Sequence, residues 1–192
     1  MSNRYAKACT PKRAANDSGL RRATSIRCIV IHSAEAFDSF GEDLSAEGVA
    51  GFFARSSTEA STQLAVDRDS CMRMVPDLVI PWGASGANSD GLHVEICGTA
   101  KWSRSEWLRR RTMLRRAAFK VARWCWLYDI PARWLSDRQL ANGTARGLTT
   151  HVQVNKVFKR GHHWDPGPGF PKDVFLGYVA EYLAQIAKER ER

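Results

Sequence analysis

Short runs of strand-forming residues alternate along this chain with segments of helical periodicity, and this alternation limits most strongly the folds it can adopt. Arg27–Ile31 has the apolar, β-branched composition of a buried strand, and Gly91–Cys97 is a second run of this kind. Residues 61–67 and 71–75 predict two more strands, joined by a hairpin turn at residues 68–70. Strands interleaved with helices predict an α/β domain with a single mixed β-sheet flanked by helices.

Three helices are predicted from periodicity and capping residues. Ser45 caps a helix that runs to about Arg55, and Ser103 with Glu106 forms a capping box at the start of a long helix that ends before Pro131. Residues 171–192 predict a final amphipathic helix. Residues 133–147 show little periodicity and predict a connection, and residues 149–154 predict a short strand or loop.

The first 25 residues are basic and differ from the rest of the chain. We expect residues 1–25 to form a tail, either a disordered arm or a lightly packed extension, and residues 26–192 to form one catalytic domain. The tail has no apolar core of a signal peptide, and no apolar run is long enough to cross a membrane. We therefore expect synthesis in the cytoplasm without a signal peptide, and no membrane insertion.

The net charge is +9, from 29 Lys and Arg against 20 Asp and Glu. Such a surface favours a polyanionic partner, which could be nucleic acid, an acidic membrane or an anionic cell wall, or it has no charged partner at all. The predicted long helix carries a basic face, for which solvation is the simplest explanation; its members are Arg109, Arg110, Arg111, Arg115, Arg116, Lys120 and Arg123.

The five cysteines are scattered and contain no CxxC pair, which argues against a cysteine-based zinc finger. Cys28, Cys71 and Cys97 lie in apolar or strand-like segments, where cysteine usually acts as a small buried hydrophobe. A disulfide between Cys71 and Cys97 is one pairing open to these residues.

Metal-ligating residue types are concentrated in the run Gly161–Gly169, which contains His162, His163 and Asp165. Pro166 and the adjacent glycines stiffen this turn and fix the direction of the carboxylate. Two more histidines are candidates: His32, just past the end of a predicted buried strand, and His151. Two imidazoles and a carboxylate would leave a zinc ion with one open position, as hydrolysis requires.

Glu95 is a second chemical candidate. On the predicted strand, Leu92, Val94 and Ile96 alternate with His93, Glu95 and Cys97, so that the carboxylate faces away from the apolar set. A carboxylate in a mostly buried strand needs either a partner, such as one of the many arginines, or a catalytic role.

The order of these motifs resembles the zinc-dependent N-acetylmuramoyl-L-alanine amidases, which include phage endolysins and the peptidoglycan recognition proteins. The resemblance covers most of the chain from about Arg27 onward and rests on six segments, namely Ile31-His32, Trp82–Asn88, Val94-Glu95-Ile96, His151, Asp165-Pro166-Gly167-Pro168 and Phe170-Pro171. Residues 45–54 resemble a helix of endolysin amidase domains from phages of actinobacteria.

The resemblance implies that zinc is the cofactor, with His32, His151 and Asp165 as its ligands. It gives Glu95 an acid–base role and puts His163 where relatives often have a catalytic Lys; His162 remains a possible substitute ligand. The chain departs from the family at Gly83, where relatives often have His, and at residues 61–64, where many have an S-x-H-Y pattern.

The implied function is zinc-dependent hydrolysis of the amide between N-acetylmuramic acid and L-alanine in peptidoglycan, as a phage endolysin or cell-wall lytic enzyme that acts after release at lysis. Expected partners are peptidoglycan and anionic wall polymers, with no specific nucleic acid, and the chain is expected to be a monomer. Two alternatives remain: a non-catalytic peptidoglycan-binding module of the same fold, and a basic metal-dependent nuclease using His162, His163 and Asp165.

Overall fold

A computed structural model describes residues 5–35 and 45–190 of the chain. Residues 1–4 of the predicted tail and residues 191–192 of the predicted final helix lie outside the described residues. All structural statements below refer to the two described ranges.

Within these ranges six strands form one mixed sheet in the order β1-β4-β3-β5-β2-β6. Strands β3 and β4 pair antiparallel, as predicted for the hairpin, and the other neighbouring pairs are parallel. The predicted single mixed sheet is confirmed. The strands are β1 (Thr10–Pro11), β2 (Cys28–Ser33), β3 (Leu64–Val66), β4 (Cys71–Arg73), β5 (Gly91–Ile96) and β6 (Gly147–Thr150).

Helices flank the sheet, and two of them depart from the prediction. The predicted long helix begins at the expected Ser103–Glu106 capping box but is two helices, because Arg110 leaves helical geometry at φ −100° and ψ 35°. The connection predicted at residues 133–147 contains a short helix with its own capping box at Ser136 and Gln139. The helices are α1 (Ser45–Phe53), α2 (Arg104–Arg109), α3 (Arg111–Leu127), α4 (Asp137–Asn142), α5 (His151–Phe158) and α6 (Lys172–Arg190).

The two faces of the sheet carry cores of different size. Ile29, Ile31 and the apolar set of β5 belong to the large core, which includes buried residues of α1, α3 and α6. Cys28 and Val30 belong to a smaller cluster with residues of α4, α5 and the segment before β5. Because side chains alternate along a strand, His32 points to the same side as Val30.

Residues 5–25 form a lightly packed extension rather than a disordered arm. Most side chains of residues 5–25 are exposed, but Tyr5 and Ala14 are buried, and β1 pairs with β4 at the edge of the sheet. A disulfide joins Cys9 to Cys71. The Cys71–Cys97 pairing is therefore wrong, and Cys97 is a buried cysteine that forms no disulfide. The reason is topological: Cys9 directly precedes β1, and Cys71 begins the strand beside it.

Part of the predicted basic helix face contacts the protein itself. Arg115 forms an ion pair with Glu181 of α6, and the buried Lys120 ammonium donates to the Lys7 carbonyl. Arg109, Arg111 and Arg123 are exposed. Among the described residues, no helix is both long enough and apolar enough to cross a membrane.

Candidate metal and catalytic site

Two neighbouring parallel strands contribute the first pair of site residues. His32 in β2 lies opposite Glu95 in β5 in the sheet register. Both side chains are buried, with exposed fractions of 2% for His32 and 7% for Glu95. The sequence predicted His32 just past the end of its strand, whereas β2 continues through Ser33.

The other two predicted ligands come from a helix start and from the turn after that helix. His151 is the first residue of α5, not part of a strand or loop, because β6 ends at Thr150 and the Thr150 hydroxyl caps the helix. The Val152 amide then donates to the Asp165 carbonyl at 2.9 Å, and the Asn155 side-chain amide donates to the His163 carbonyl at 2.7 Å. These bonds fix the turn that carries Asp165 against α5.

The three side chains converge on one point. His32 Nδ1 lies 3.2 Å from Asp165 Oδ2, and His151 Nδ1 lies 3.1 Å from Asp165 Oδ1. With one ligand atom taken from each residue, the three atoms all lie within 4.8 Å of one another, which is close enough for a single metal ion to bind them. Asp165 Oδ2 is buried and has no hydrogen bond among the described residues, as expected for an oxygen that faces a shared ion.

The electrostatics favour the protonation states that a metal needs. Burial lowers the pKa of His32 below its usual value, so the imidazole is neutral and has a free lone pair. Burial alone would raise the pKa of Asp165, but the imidazoles of His151 and His32 lower it well below its usual range. The residues present therefore fit a zinc ion in donor type, charge and geometry.

Glu95 stands beside this cluster without belonging to it. Its Oε1 is 3.9 Å from His32 Nδ1, and its buried Oε2 has no hydrogen-bond partner among the described residues. Burial, and then the charges of Asp165 and Glu35, raise the pKa of Glu95 well above its usual value. A carboxyl group in this condition is a stronger base than an ordinary carboxylate and suits proton transfer.

His163 lies at the open side of the cluster. Its ring stacks on that of His151, with centroids 4.3 Å apart and planes at 16°. Its Nδ1 is 3.9 Å from Asp165 Oδ1, and its side chain is 67% exposed. His162 is exposed and is not in the ligand cluster, whose members are His32, His151 and Asp165. The structure therefore places His163 at the site and His162 outside it.

The family model of the N-acetylmuramoyl-L-alanine amidases matches residues 22–168, most of the chain. This chain belongs to the N-acetylmuramoyl-L-alanine amidase family. The buried cluster of two histidines and an aspartate in this amidase is typical of the zinc site of such enzymes. A search of curated proteins found no match.

Solved structures of a hydrolase, an endolysin and another amidase share the fold of this amidase. The Staphylococcus aureus hydrolase AmiA aligns with a TM-score of 0.71 at 17% identity, over 95% of this chain and 87% of that one. A mutant endolysin from Bacillus subtilis aligns with a TM-score of 0.58 at 14% identity, over 90% and 98% of the two chains. The amidase LysC from Clostridium intestinale aligns with a TM-score of 0.55 at 12% identity, over 91% and 98%.

A groove of about 960 Å³ opens onto the cluster of metal-ligand residues in the amidase. Aromatic side chains line it, and three of them stay partly exposed: Trp82, Trp164 and Phe52. Lys101 and Arg160 add positive charge to the same lining. Sequence reasoning identified the cluster but not these groove residues, because they come from four separate segments.

His93 is the site residue whose role sequence reasoning missed. It is fully buried, and its Nδ1 lies 3.0 Å from His32 Nε2. The strand pattern already put His93 on the same face as Glu95, and this was the available signal. The departure from the family at Gly83 has a steric reason here, since a Cβ atom at that position would lie 2.5 Å from His93 Nδ1.

Proposed function

We propose that this amidase hydrolyses the amide bond between the lactyl group of N-acetylmuramic acid and L-alanine in peptidoglycan, with a zinc ion bound by His32, His151 and Asp165. One observation carries the proposal: the ligand atoms of three buried residues lie together, and the buried carboxyl group of Glu95 lies beside one of them, with Oε1 3.9 Å from His32 Nδ1. The match to the family supports peptidoglycan as the substrate.

The donor set defines what the metal would do. His32, His151 and Asp165 would hold a zinc ion with one position left open, and the ion would supply Lewis-acid polarisation of the substrate carbonyl and a lower pKa for a bound water. Asp165 supplies the negative charge of the set, while His32 and His151 supply neutral nitrogen donors. Burial of all three side chains keeps bulk water from competing with them.

Glu95 is the proposed general base. Its carboxylate takes a proton from the attacking water, and a proton returns to the leaving nitrogen from this carboxyl group or by way of His163. The raised pKa suits proton uptake, because a carboxylate at its usual pKa would be too weak a base near neutrality. Its Oε1 atom lies 3.9 Å from His32 Nδ1, which puts the carboxylate beside the ligand residues.

His163 is the proposed partner on the solvent side of the reaction. From the rim of the groove its imidazole donates a hydrogen bond to the carbonyl oxygen as negative charge develops there, or donates a proton to the leaving amine. Stacking on His151 supports this role, because it holds the exposed ring next to the metal cluster.

The groove suits a glycan that carries a peptide. The faces of Trp82 and Trp164 offer stacking surfaces for sugar rings, and Phe52 adds apolar area. Lys101 and Arg160 are placed to pair with carboxylates of the stem peptide. These contacts would hold the scissile amide beside the cluster.

The two alternatives receive less support. Non-catalytic members of this fold typically lose a metal ligand, whereas here all three ligands converge. A nuclease that uses His162, His163 and Asp165 is disfavoured, because His162 is exposed and outside the cluster.

A zymogram on purified cell walls, run with and without chelator beside a plasmid-nicking assay, separates the three functions. We expect wall clearing that stops with chelator and returns with zinc, and no nicking. Wall binding without clearing would select the binding module instead, and metal-dependent nicking would select the nuclease. Zinc content should fall in His32→Ala, His151→Ala and Asp165→Ala relative to wild type.

Contacts with anionic wall polymers are a second part of the proposal. The net charge of +9 supports them, and so do three exposed cations, Arg109 at the end of α2 and Arg111 and Arg123 on α3. Arg115 and Lys120 are excluded from this surface because they contact the protein. Replacing the three exposed arginines by Gln should weaken the salt-dependent part of wall binding; unchanged salt dependence would contradict this surface.

Action on the wall after release at lysis completes the proposal, and fold similarity to endolysins supports it. An origin in phages of actinobacteria, the monomeric state and the boundary between residues 1–25 and 26–192 stay predictions. Sedimentation of the purified chain tests the monomer directly.

A further inference from the structure

His93 lies directly behind His32, on the side away from the metal cluster. Its Nδ1 is 3.0 Å from His32 Nε2, and its Nε2 is 3.3 Å from the Ala87 carbonyl oxygen. His32 Nδ1 faces Asp165 at the opposite end of the ring. The four groups form a continuous chain from a backbone carbonyl to the metal cluster.

The direction of this chain follows from its first member. A carbonyl oxygen only accepts hydrogen bonds, so His93 Nε2 carries the hydrogen that faces Ala87. In the neutral ring, which burial favours, His93 Nδ1 is then an acceptor. His32 must donate to it from Nε2, and this leaves the His32 Nδ1 lone pair pointing at the cluster.

The backbone around His93 leaves room for this ring and for little else. A Cβ atom at Gly83 would lie 2.5 Å from His93 Nδ1, and one at Gly91 would lie 2.9 Å from His93 Nε2. A side chain at either position would displace the His93 imidazole from its present place. Two separate segments therefore hold the ring where it meets His32.

We propose that His93 is a positioning residue that fixes the tautomer and ring orientation of His32 for metal binding. The inference rests on the proposed function, because it assumes that His32 binds the metal. Hydrogen-bonding partners of ligating histidines commonly change metal affinity 10- to 100-fold when they are removed. His93 itself does not touch substrate or metal.

The first test compares zinc affinity in two variants of nearly equal shape, measured by competition with a chromogenic chelator. In His93→Asn the Oδ1 atom stands near the position of Nδ1 and can accept from His32, whereas His93→Leu cannot. We expect His93→Leu to lose about 10- to 100-fold in affinity and His93→Asn to stay close to wild type. Equal affinity in wild type and a folded His93→Leu would overturn the inference.

A second test displaces the His93 ring by a substitution at Gly83 and leaves both histidines in place. Gly83→Ala should weaken zinc binding, while Gly177→Ala, where a Cβ atom meets nothing within 4 Å, should not. Equal affinities in these two variants would also count against the role of His93.

A spectroscopic measurement on the metal-free wild type decides the question even if the variants fail to fold. Nitrogen-15 NMR of the imidazoles should show a hydrogen on His32 Nε2 that is donated to a lone pair on His93 Nδ1, whatever the Nδ1 atom of His32 carries beside Asp165. Absence of a hydrogen from His32 Nε2 would overturn the inference. Failure of the proposed function looks different, since wild type would then bind no zinc whatever the tautomer of His32.

Discussion

The imidazole of His163 stacks almost parallel on that of His151, with ring centroids 4.3 Å apart. The contact holds the exposed imidazole of His163 against a buried residue of the ligand cluster. His163→Ala should therefore lower kcat by about 10²–10³-fold, as for the loss of one transition-state donor, while zinc stays bound. Wall-clearing kinetics and zinc content check this. His162→Ala is the matched control and should keep full activity; equal losses in both variants would contradict the assignment.

Glu95→Gln should separate chemistry from metal binding. The amide has the shape of the carboxylate but cannot take up the proton, so kcat should fall about 10²–10⁴-fold with zinc affinity nearly unchanged. Single-turnover hydrolysis of a muramyl peptide measures the first quantity and chelator competition the second. Glu181→Gln, on the far ion pair with Arg115, is the control. Retained activity in Glu95→Gln would remove Glu95 from the mechanism.

Gly167 is predicted to support the metal site through its lack of a side chain. A Cβ atom there would lie 1.9 Å from the Ala100 carbonyl oxygen, and the residue has a φ of +82°. Gly143 has a similar φ of +73° with nothing within 4 Å, so Gly143→Ala shares only the backbone strain. Gly167→Ala should lose about 1–3 kcal/mol more unfolding free energy than Gly143→Ala, and zinc affinity as well. Equal losses in urea unfolding would refute this contact.

The Cys9–Cys71 disulfide should stabilise the fold without affecting the metal site. It closes a loop with a sequence separation of 62, for which about 2–4 kcal/mol is typical. The Cys9→Ser/Cys71→Ser variant should lose this amount in urea unfolding yet bind zinc normally, because β1 and β4 lie at the opposite edge of the sheet from β2 and β6. A reductant should destabilise wild type but not the variant. Weakened zinc binding in the variant would show that the two edges are coupled.

Because of Lys120, the free energy of unfolding should rise as the pH becomes alkaline. Burial, and then the charges of Arg123, Arg116 and Arg73, lower the pKa of Lys120 to about 8. Below pH 8 the Lys120 ammonium is charged in both states, and its burial lowers the free energy of unfolding by the full amount. Between about pH 8 and 10.5 the folded state has released this proton and the unfolded state still holds it, so the penalty disappears. Stability of wild type relative to Lys120→Met should therefore rise across this window, by up to about 3 kcal/mol.

Urea unfolding at a series of pH values measures that difference. Lys188→Met, at an exposed position of α6, is the control and should show no such rise relative to wild type. A flat or falling difference for Lys120→Met would mean that the ammonium is well solvated in the folded state.

Local patterns explain which elements could be predicted. The β-branched run before His32 and the capping box at Ser103 are signals carried by neighbouring residues, and both are confirmed. The start of α5 at His151 was misjudged, because Thr149 and Thr150 favour a strand while the helix is set by the Thr150 cap and the bond from Val152 to Asp165. The capping box at Ser136 and Gln139 is visible in the sequence, but the low periodicity of residues 133–147 hides the short helix that follows it.

In the site too, local signals could be predicted and long-range contacts could not. The order of motifs predicted the ligand residues, and the structure brings them together. The contact between His32 and His93 could not be predicted, because it depends on the register that sets Val30 opposite His93. The Cys9–Cys71 bond likewise depends on the pairing of β1 with β4. Strand β1 has only two residues, which are too few to give a strand pattern in the sequence.

Strand β2 is made before both of its neighbours in the sheet. It pairs with Gly91–Ile96 on one side and Gly147–Thr150 on the other, and Asp165 follows later still. Closing such distant contacts is slow and entropically costly. A nascent chain on the ribosome would therefore hold His32 and Glu95 together before His151 and Asp165 exist. The set of three metal ligands would be complete only after residue 165 has emerged, so that metal uptake would follow the folding of most of the chain.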